Sequence, residues 1–178
     1  MDNKEYVNLK AKIAYDLKMN NKFSRKARAL VFKDDCLLVI KVTYSNGDIH
    51  YLLPGGTVDD GENTKTTVVR ETIEEYGIKV KPIHYLGRQY YTVPMELNGV
   101  SFVSNCIDHY YICEYISSCG EGEFGIDGEF TKKDRTYLKT TLNLQDLEKI
   151  NPADLNDMDK SNFDKLLHYI KNKNLIQI

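Results

Sequence analysis

Three carboxylates, Glu71, Glu74 and Glu75, stand three and four residues apart in the stretch "RETIEEYGI". On a helix turning about 100° per residue, all three fall on one face. Like charges at that spacing cost roughly 0.2–0.5 kcal/mol per pair even when exposed. From Leu53 to Ile78 the chain holds six acidic residues and two basic ones, Lys65 and Arg70, so interspersed lysines do not offset the repulsion. A divalent cation would, because crowded carboxylates with carbonyls and water are the oxygen ligands that Mg²⁺ and Mn²⁺ take. Mg²⁺ usually shares such sites with substrate phosphates, so a phosphate-bearing ligand fits this pattern. For an isolated E-x-x-E-E, a solvated charged face is the plainer reading.

The surroundings remove most of that plainer reading. Gly56, Glu62, Arg70, Glu71, Glu74, Glu75 and Gly77 spell G-x5-E-x7-R-E-x-x-E-E-x-G, with apolar Ile78 next. Seven such positions coincide by chance on the order of once in a million at average residue usage. The pattern resembles the Nudix box, and the sequence resembles the Nudix hydrolase family. Thr72 departs from it, since the family prefers an apolar residue at that packing position.

The resemblance implies an α/β fold, an α/β/α sandwich with a mixed sheet and the Nudix loop-helix. It also implies a Mg²⁺-dependent pyrophosphohydrolase, with Mn²⁺ as a substitute, cleaving a nucleoside diphosphate linked to another moiety. Glu71, Glu74 and Glu75 would then ligate the metal, with the Gly55 carbonyl as a further ligand and Arg70 and Glu62 as support. A later acid often completes such sites. Here the segment "SSCGEGEFGIDGEFTKKD" offers Glu121, Glu123 and Glu129, of which Glu129 is expected as an additional ligand or base. Arg28 and Lys41, on the first two strands, are cations able to hold a substrate phosphate, or alternatively to form surface ion pairs. The other reading from the resemblance is a non-catalytic, nucleotide-sensing or protein-binding Nudix domain, against which the intact carboxylates speak. ADP-ribose, an oxidised nucleoside triphosphate, dinucleoside polyphosphates and capped RNA all stay open as substrates. Pro94, sixteen residues beyond Ile78, resembles the spacing in enzymes acting on ADP-ribose, and equally reads as a strand-breaking turn in "TVPMELNG".

Elements must position these groups. "ARALVF" (Ala27 to Phe32) and "CLLVIKV" (Cys36 to Val42) read as a hairpin across "KDD", and Ser45 to Asp48 as a second turn. Asn63 to Tyr76 reads as a helix ended by Gly77, anchored through Val69, Ile73 and Tyr76. "KVKPIHYLGRQYYTV" is strand-like, Val100 to Ile116 suggests a hairpin or two strands, and "TYLKTTLNL" one more strand. Their many tyrosines fit strand propensity, with base stacking as the alternative. Residues 160–171 read as a helix with Ser161 and Asp164 as a capping box and an apolar stripe of Phe163, Leu166, Leu167 and Ile170.

The 178 residues suit a single domain, 1–178, with 1–24 as a helical N-terminal extension. A net charge of −2 lacks the basic field of a non-specific nucleic-acid binder, so small molecules or proteins are the expected partners, and the resemblance implies a small nucleotide bound by a monomer or homodimer. The opening residues have no long apolar run, which speaks against a secretory signal or membrane span and for a cytoplasmic protein. Cys36, Cys106, Cys113 and Cys119 include no CxxC pair and read as reduced thiols. The spacing Cys106, His109, Cys113 supplies only three ligands, and on a strand Cys106 faces away from the other two.

Overall fold

In a computed structural model, the described residues are 3–20, 22–120 and 135–173, with side chains described from residue 8. Helix α1 (Asn3–Met19) precedes four strands, β1 (Ser24–Lys33), β2 (Cys36–Tyr44), β3 (Ile49–Leu52) and β4 (Gly55–Thr57). Helix α2 (Thr64–Glu71) runs directly into a π-helical turn, Thr72–Tyr76. The long strands β5 (Ile78–Leu97) and β6 (Val100–Ser118) follow, then β7 (Arg135–Asn143). Two 3₁₀ turns, Leu144–Lys149 and Pro152–Asp154, lead to α3 (Lys160–Asn172). No helix among the described residues is long and apolar enough to cross a membrane.

The strands form one mixed sheet in the order β3-β2-β1-β6-β5, with β4 beside β1 and β7 beside β2. Only β1 and β6 run parallel among these pairs. The β1–β2 hairpin is short, with Phe32 opposite Leu37 and Lys33 opposite Cys36. Beyond it the two strands take different neighbours, and β4 fills the place beside β1, setting Gly56 against Ala27 and Gly55 against Arg28. Alternation along β1 then sorts its side chains by face. Ala27, Ala29 and Val31 join Val68, Tyr111 and Cys113 under α2, while Leu30 joins Leu37, Tyr110, Leu166 and Ile170 under α3 and the 3₁₀ turns. Helices on both faces of a mixed sheet give the expected α/β/α sandwich.

Several local expectations change. Val100 to Ile116 is one continuous strand rather than a hairpin or two strands, because its partner is the equally long β5. The turn lies at Asn98–Gly99, with φ of 52° and 80°, the left-handed pair that a two-residue hairpin loop favours. Register shifts after Lys79, Pro82 and Tyr85 let so long a ribbon bend. Pro94 does not break the strand and pairs with Val103. Strand β5 lies at the sheet edge, where a missing N–H is tolerated. The cap of α3 is Asp159, whose carboxylate accepts from Asn162 N at 2.7 Å, so the Ser161 capping box does not form. Asp164 instead meets Lys160 at 3.3 Å.

Candidate active site

Asn63 starts α2 by accepting from the N–H groups of Lys65 (3.0 Å) and Thr66 (3.1 Å). The helix is anchored through Thr64, Thr67, Val68, Thr72 and Tyr76, all buried. Three of these are threonines, so a hydropathy pattern passes over them. Their hydroxyls find partners: Thr64 meets the Tyr111 hydroxyl at 2.6 Å, Thr67 donates to Glu62 at 2.7 Å, and Thr72 donates to Val69 O at 3.1 Å. Ile73, expected on the packing face, is exposed instead, because the π turn widens the helix and carries Thr72 inward. Tyr76 closes the turn by donating to Val39 O, and Gly77, at φ 67°, ends it in the left-handed conformation expected of a C-cap.

Arg70 gathers the acids. Its Nε and Nη2 donate to the two oxygens of Glu62 at 3.1 and 3.0 Å, a bidentate fork. Its Nη1 donates to Glu71 (2.8 Å) and Glu74 (3.0 Å), and Nη2 also reaches Thr57 O at 3.1 Å. The hydrogen bond from Arg70, aided by Thr67, holds the Glu62 carboxyl down at about 2. The same bond keeps Arg70 protonated more firmly than usual. Glu71 moves the other way. Burial raises its proton affinity against the pull of Arg70, and the neighbouring Glu74 charge adds to the rise.

The glycine pair meets this cluster from β4. A Cβ on Gly56 would collide with the Glu71 carboxylate, so the missing side chain is the space that carboxylate occupies. A Cβ on Gly55, at φ 144°, would collide with the Ala27 carbonyl. Glu75 accepts from Gly55 N at 2.8 Å, while the Gly55 carbonyl accepts from Arg28 Nη1 at 2.7 Å. Arg28 thus commits its Nη1 to the glycine pair. Its Nε donates to Asp108 at 3.1 Å, and Asp108, only 3% exposed, also accepts from the Tyr91 hydroxyl at 2.9 Å. The buried carboxylate demands a cation, and Arg28 supplies it.

Asp108 and Tyr91 escaped the sequence reading. The signal available was an acid inside the apolar strand "CIDHYYIC", on the same face as Tyr110 and Ile112, where a carboxylate has to find a partner.

The carboxylates, with the Gly55 carbonyl, make an all-oxygen donor set suited to a hard divalent cation. Among the described residues no three His, Cys, Asp or Glu side chains stand as a finished ligand group. N–H donors of Arg70 and Gly55 hold the acids in place. Lys41 lies on β2 between Tyr51 and Leu138 of the neighbouring strands. Glu129, with Glu121 and Glu123, falls outside the described residues. Cys106 packs against Ser104, whereas His109 faces the Tyr85 hydroxyl at 3.1 Å and Cys113 is buried, its thiol pushed up to about 12 by burial. A groove of about 630 Å³ between β5 and α3, lined by His84, Leu86, Lys165, His168 and Tyr169 among others, shares no residue with the carboxylate cluster.

Comparisons with known proteins bear on the family and the fold. The family model described as NUDIX domain matches residues 22–141. An NAD-capped RNA hydrolase NudC from Enterobacter sp. (strain 638) is 45% identical over 64 residues, 36% of this chain and 24% of the relative. Its counterpart from Shigella flexneri is 38% identical over 65 residues, 36% of this chain and 25% of the relative. The match thus spans about a quarter of the length of these curated relatives. Among solved structures, a NUDIX hydrolase from Nitrosomonas europaea superposes with a TM-score of 0.56 at 15% identity, covering 88% of this chain and 97% of its own. The MutT protein from Methanosarcina mazei Go1 gives 0.51 at 17%, covering 85% and 95%. These structural likenesses concern the fold.

Proposed function

The chain belongs to the Nudix family, and on that premise we propose that it is a Mg²⁺-dependent pyrophosphohydrolase of a nucleoside diphosphate linked to another moiety. One observation carries the reading: Glu71, Glu74 and Glu75 all reach the Gly55–Thr57 strand or the arginine bound to it. Glu71, Glu74, Glu75 and the Gly55 carbonyl would hold the cation. When bound, it supplies neutralisation of the phosphate oxygens and activation of a water.

The chain's own residues do the rest. Arg70, locked to Glu62, fixes the direction of Glu71 and Glu74 and offers its N–H groups in place of a lost ligand. Glu75 spans the gap between the helix and the glycine pair. The proposed base or additional ligand is Glu129. Among the box carboxylates, Glu71 has the next claim, since burial raises its affinity for a proton. Lys41 is proposed as a contact for substrate phosphate.

The NudC relatives act on NAD-capped RNA by name, which supports a diphosphate between two nucleoside-type groups as the substrate class. The test is turnover across ADP-ribose, NAD, oxidised and normal nucleoside triphosphates, dinucleoside polyphosphates and NAD-capped RNA. It is run with Mg²⁺ or Mn²⁺ and with Glu75→Gln as control. No turnover of any member sinks the catalytic reading. Binding without hydrolysis, unchanged by Glu74→Gln, would favour a nucleotide-sensing domain.

A further inference from the structure

Gly55 is held by two side chains of opposite charge. Glu75 takes its N–H at 2.8 Å, and Arg28 takes its carbonyl at 2.7 Å. The residue has no side chain to pack, and the nearby Ala27 carbonyl leaves no room for one. Its peptide direction must therefore be set from outside. Behind Arg28 stands Asp108 at 3.1 Å, and behind Asp108 stands the Tyr91 hydroxyl at 2.9 Å. The chain Tyr91, Asp108, Arg28, Gly55 links β5, β6, β1 and β4 in one line of charge-assisted bonds. A buried ion pair is a poor way to gain stability, because apolar residues of similar volume commonly do as well or better. Next to it on the same faces of β1 and β6, Leu30, Tyr110 and Ile112 already pack as core. The pair is better explained by what it holds.

We propose that Arg28, Asp108 and Tyr91 form a positioning relay for the Gly55 carbonyl. This inference rests on the metal reading of the carboxylate site. A carbonyl oxygen has two lone-pair directions. Arg28 fills one and so aims the other. Asp108 has a second task, which is to cancel the guanidinium charge. Without it, a cation bound at Gly55 would face an unneutralised positive group across one oxygen atom. Tyr91 fixes the carboxylate that performs this cancellation. The relay residues touch neither substrate nor reacting atoms in this scheme, and act through Gly55.

The experiment is Mn²⁺ binding to the full chain, read from the free-Mn²⁺ electron paramagnetic resonance signal, alongside a metal-free thermal melt. Asp108→Asn is expected to weaken Mn²⁺ binding by roughly 10- to 100-fold, the range seen for partners behind metal ligands. Tyr91→Phe should weaken it less, and Arg28→Lys, which keeps the charge but loses the fork, should fall between them. If Asp108→Asn fails to fold, Tyr91→Phe decides, since it removes a single hydroxyl. Folded variants with lowered melts but wild-type Mn²⁺ affinity would overturn the proposal and leave a merely structural ion pair. Absence of Mn²⁺ binding in the wild type would instead overturn the metal reading, and this inference with it. Binding without turnover would count against the hydrolase assignment while leaving the relay tested on its own terms.

Discussion

Two arginines flank the same glycine strand and do opposite things. Arg70, with a side chain 28% exposed, faces Glu62, Glu71, Glu74 and Asp59, with the last at 3.5 Å. Arg28, 16% exposed, faces a single carboxylate whose side chain is 4% exposed. Around Arg70 four carboxylates share one guanidinium, and two of them, Asp59 and Glu74, are more than half exposed, so losing one contact leaves others in place. Around Arg28, breaking the pair strands a buried charge. The first arginine gathers several acids. The second keeps a backbone still.

Replacing each arginine by methionine measures that contrast most directly. Arg28→Met leaves Asp108 buried and uncompensated and is expected to cost about 3–5 kcal/mol in a denaturant melt. Arg70→Met should cost about 1 kcal/mol or less, as expected for partly exposed ion pairs. Equal losses would break the comparison. Glu75→Gln comes next, since Glu75 joins the two regions through Gly55 N. An amide oxygen can still accept that N–H, so the melt should barely move, while turnover of an identified substrate should fall by about 100-fold or more, beyond what outer partners usually cost. The glycines rank below. Gly55→Ala drives a methyl group into backbone at a left-handed φ, whereas Gly56→Ala meets only the movable end of Glu71. Melts should show a loss of about 1–3 kcal/mol for Gly55→Ala and less for Gly56→Ala, with Mn²⁺ affinity lowered in both.

The same contrast separates what the sequence could reveal from what it could not. Arg70 and its acidic partners sit within sixteen residues, Asp59 to Glu74, so spacing on one loop and helix makes them legible. Arg28 and Asp108 are eighty residues apart and meet only because β1 runs parallel to β6, a pairing that no local pattern encodes. Thr64, Thr67 and Thr72 hide the buried face of α2 for a related reason. Their burial is decided by partners such as Tyr111 and Glu62, not by hydropathy. Strands, helices and the hairpin of β1 with β2 follow period and turn residues, and so were readable. Strand β6 reads as broken at a turn-prone middle, where Asn105 and Asp108 lie, because the long edge strand beside it cannot be seen in a local window.

Acid titration gives the smallest and most specific test. Glu62 is held at about 2, below its ordinary 4.5, by Arg70. A carboxyl whose folded value is depressed lends stability above its unfolded value and loses it as pH falls through the folded one. The advantage of wild type over Glu62→Gln, about 1 kcal/mol for so solvent-screened a partner, should therefore be full at neutral pH. It should shrink below about pH 4.5 and vanish near pH 2. Glu71 lies on the other side of the same guanidinium and carries the opposite shift, raised by burial. Glu71→Gln should accordingly show no such acid-side advantage for wild type, and above the carboxylate range it should be neutral or mildly stabilising, because the ionised group is the one burial penalises. Urea melts of the metal-free protein at stepped pH read both curves. Parallel curves for the two variants would mean that Arg70 treats its acids alike, and that the division between a lowered Glu62 and a raised Glu71 does not hold.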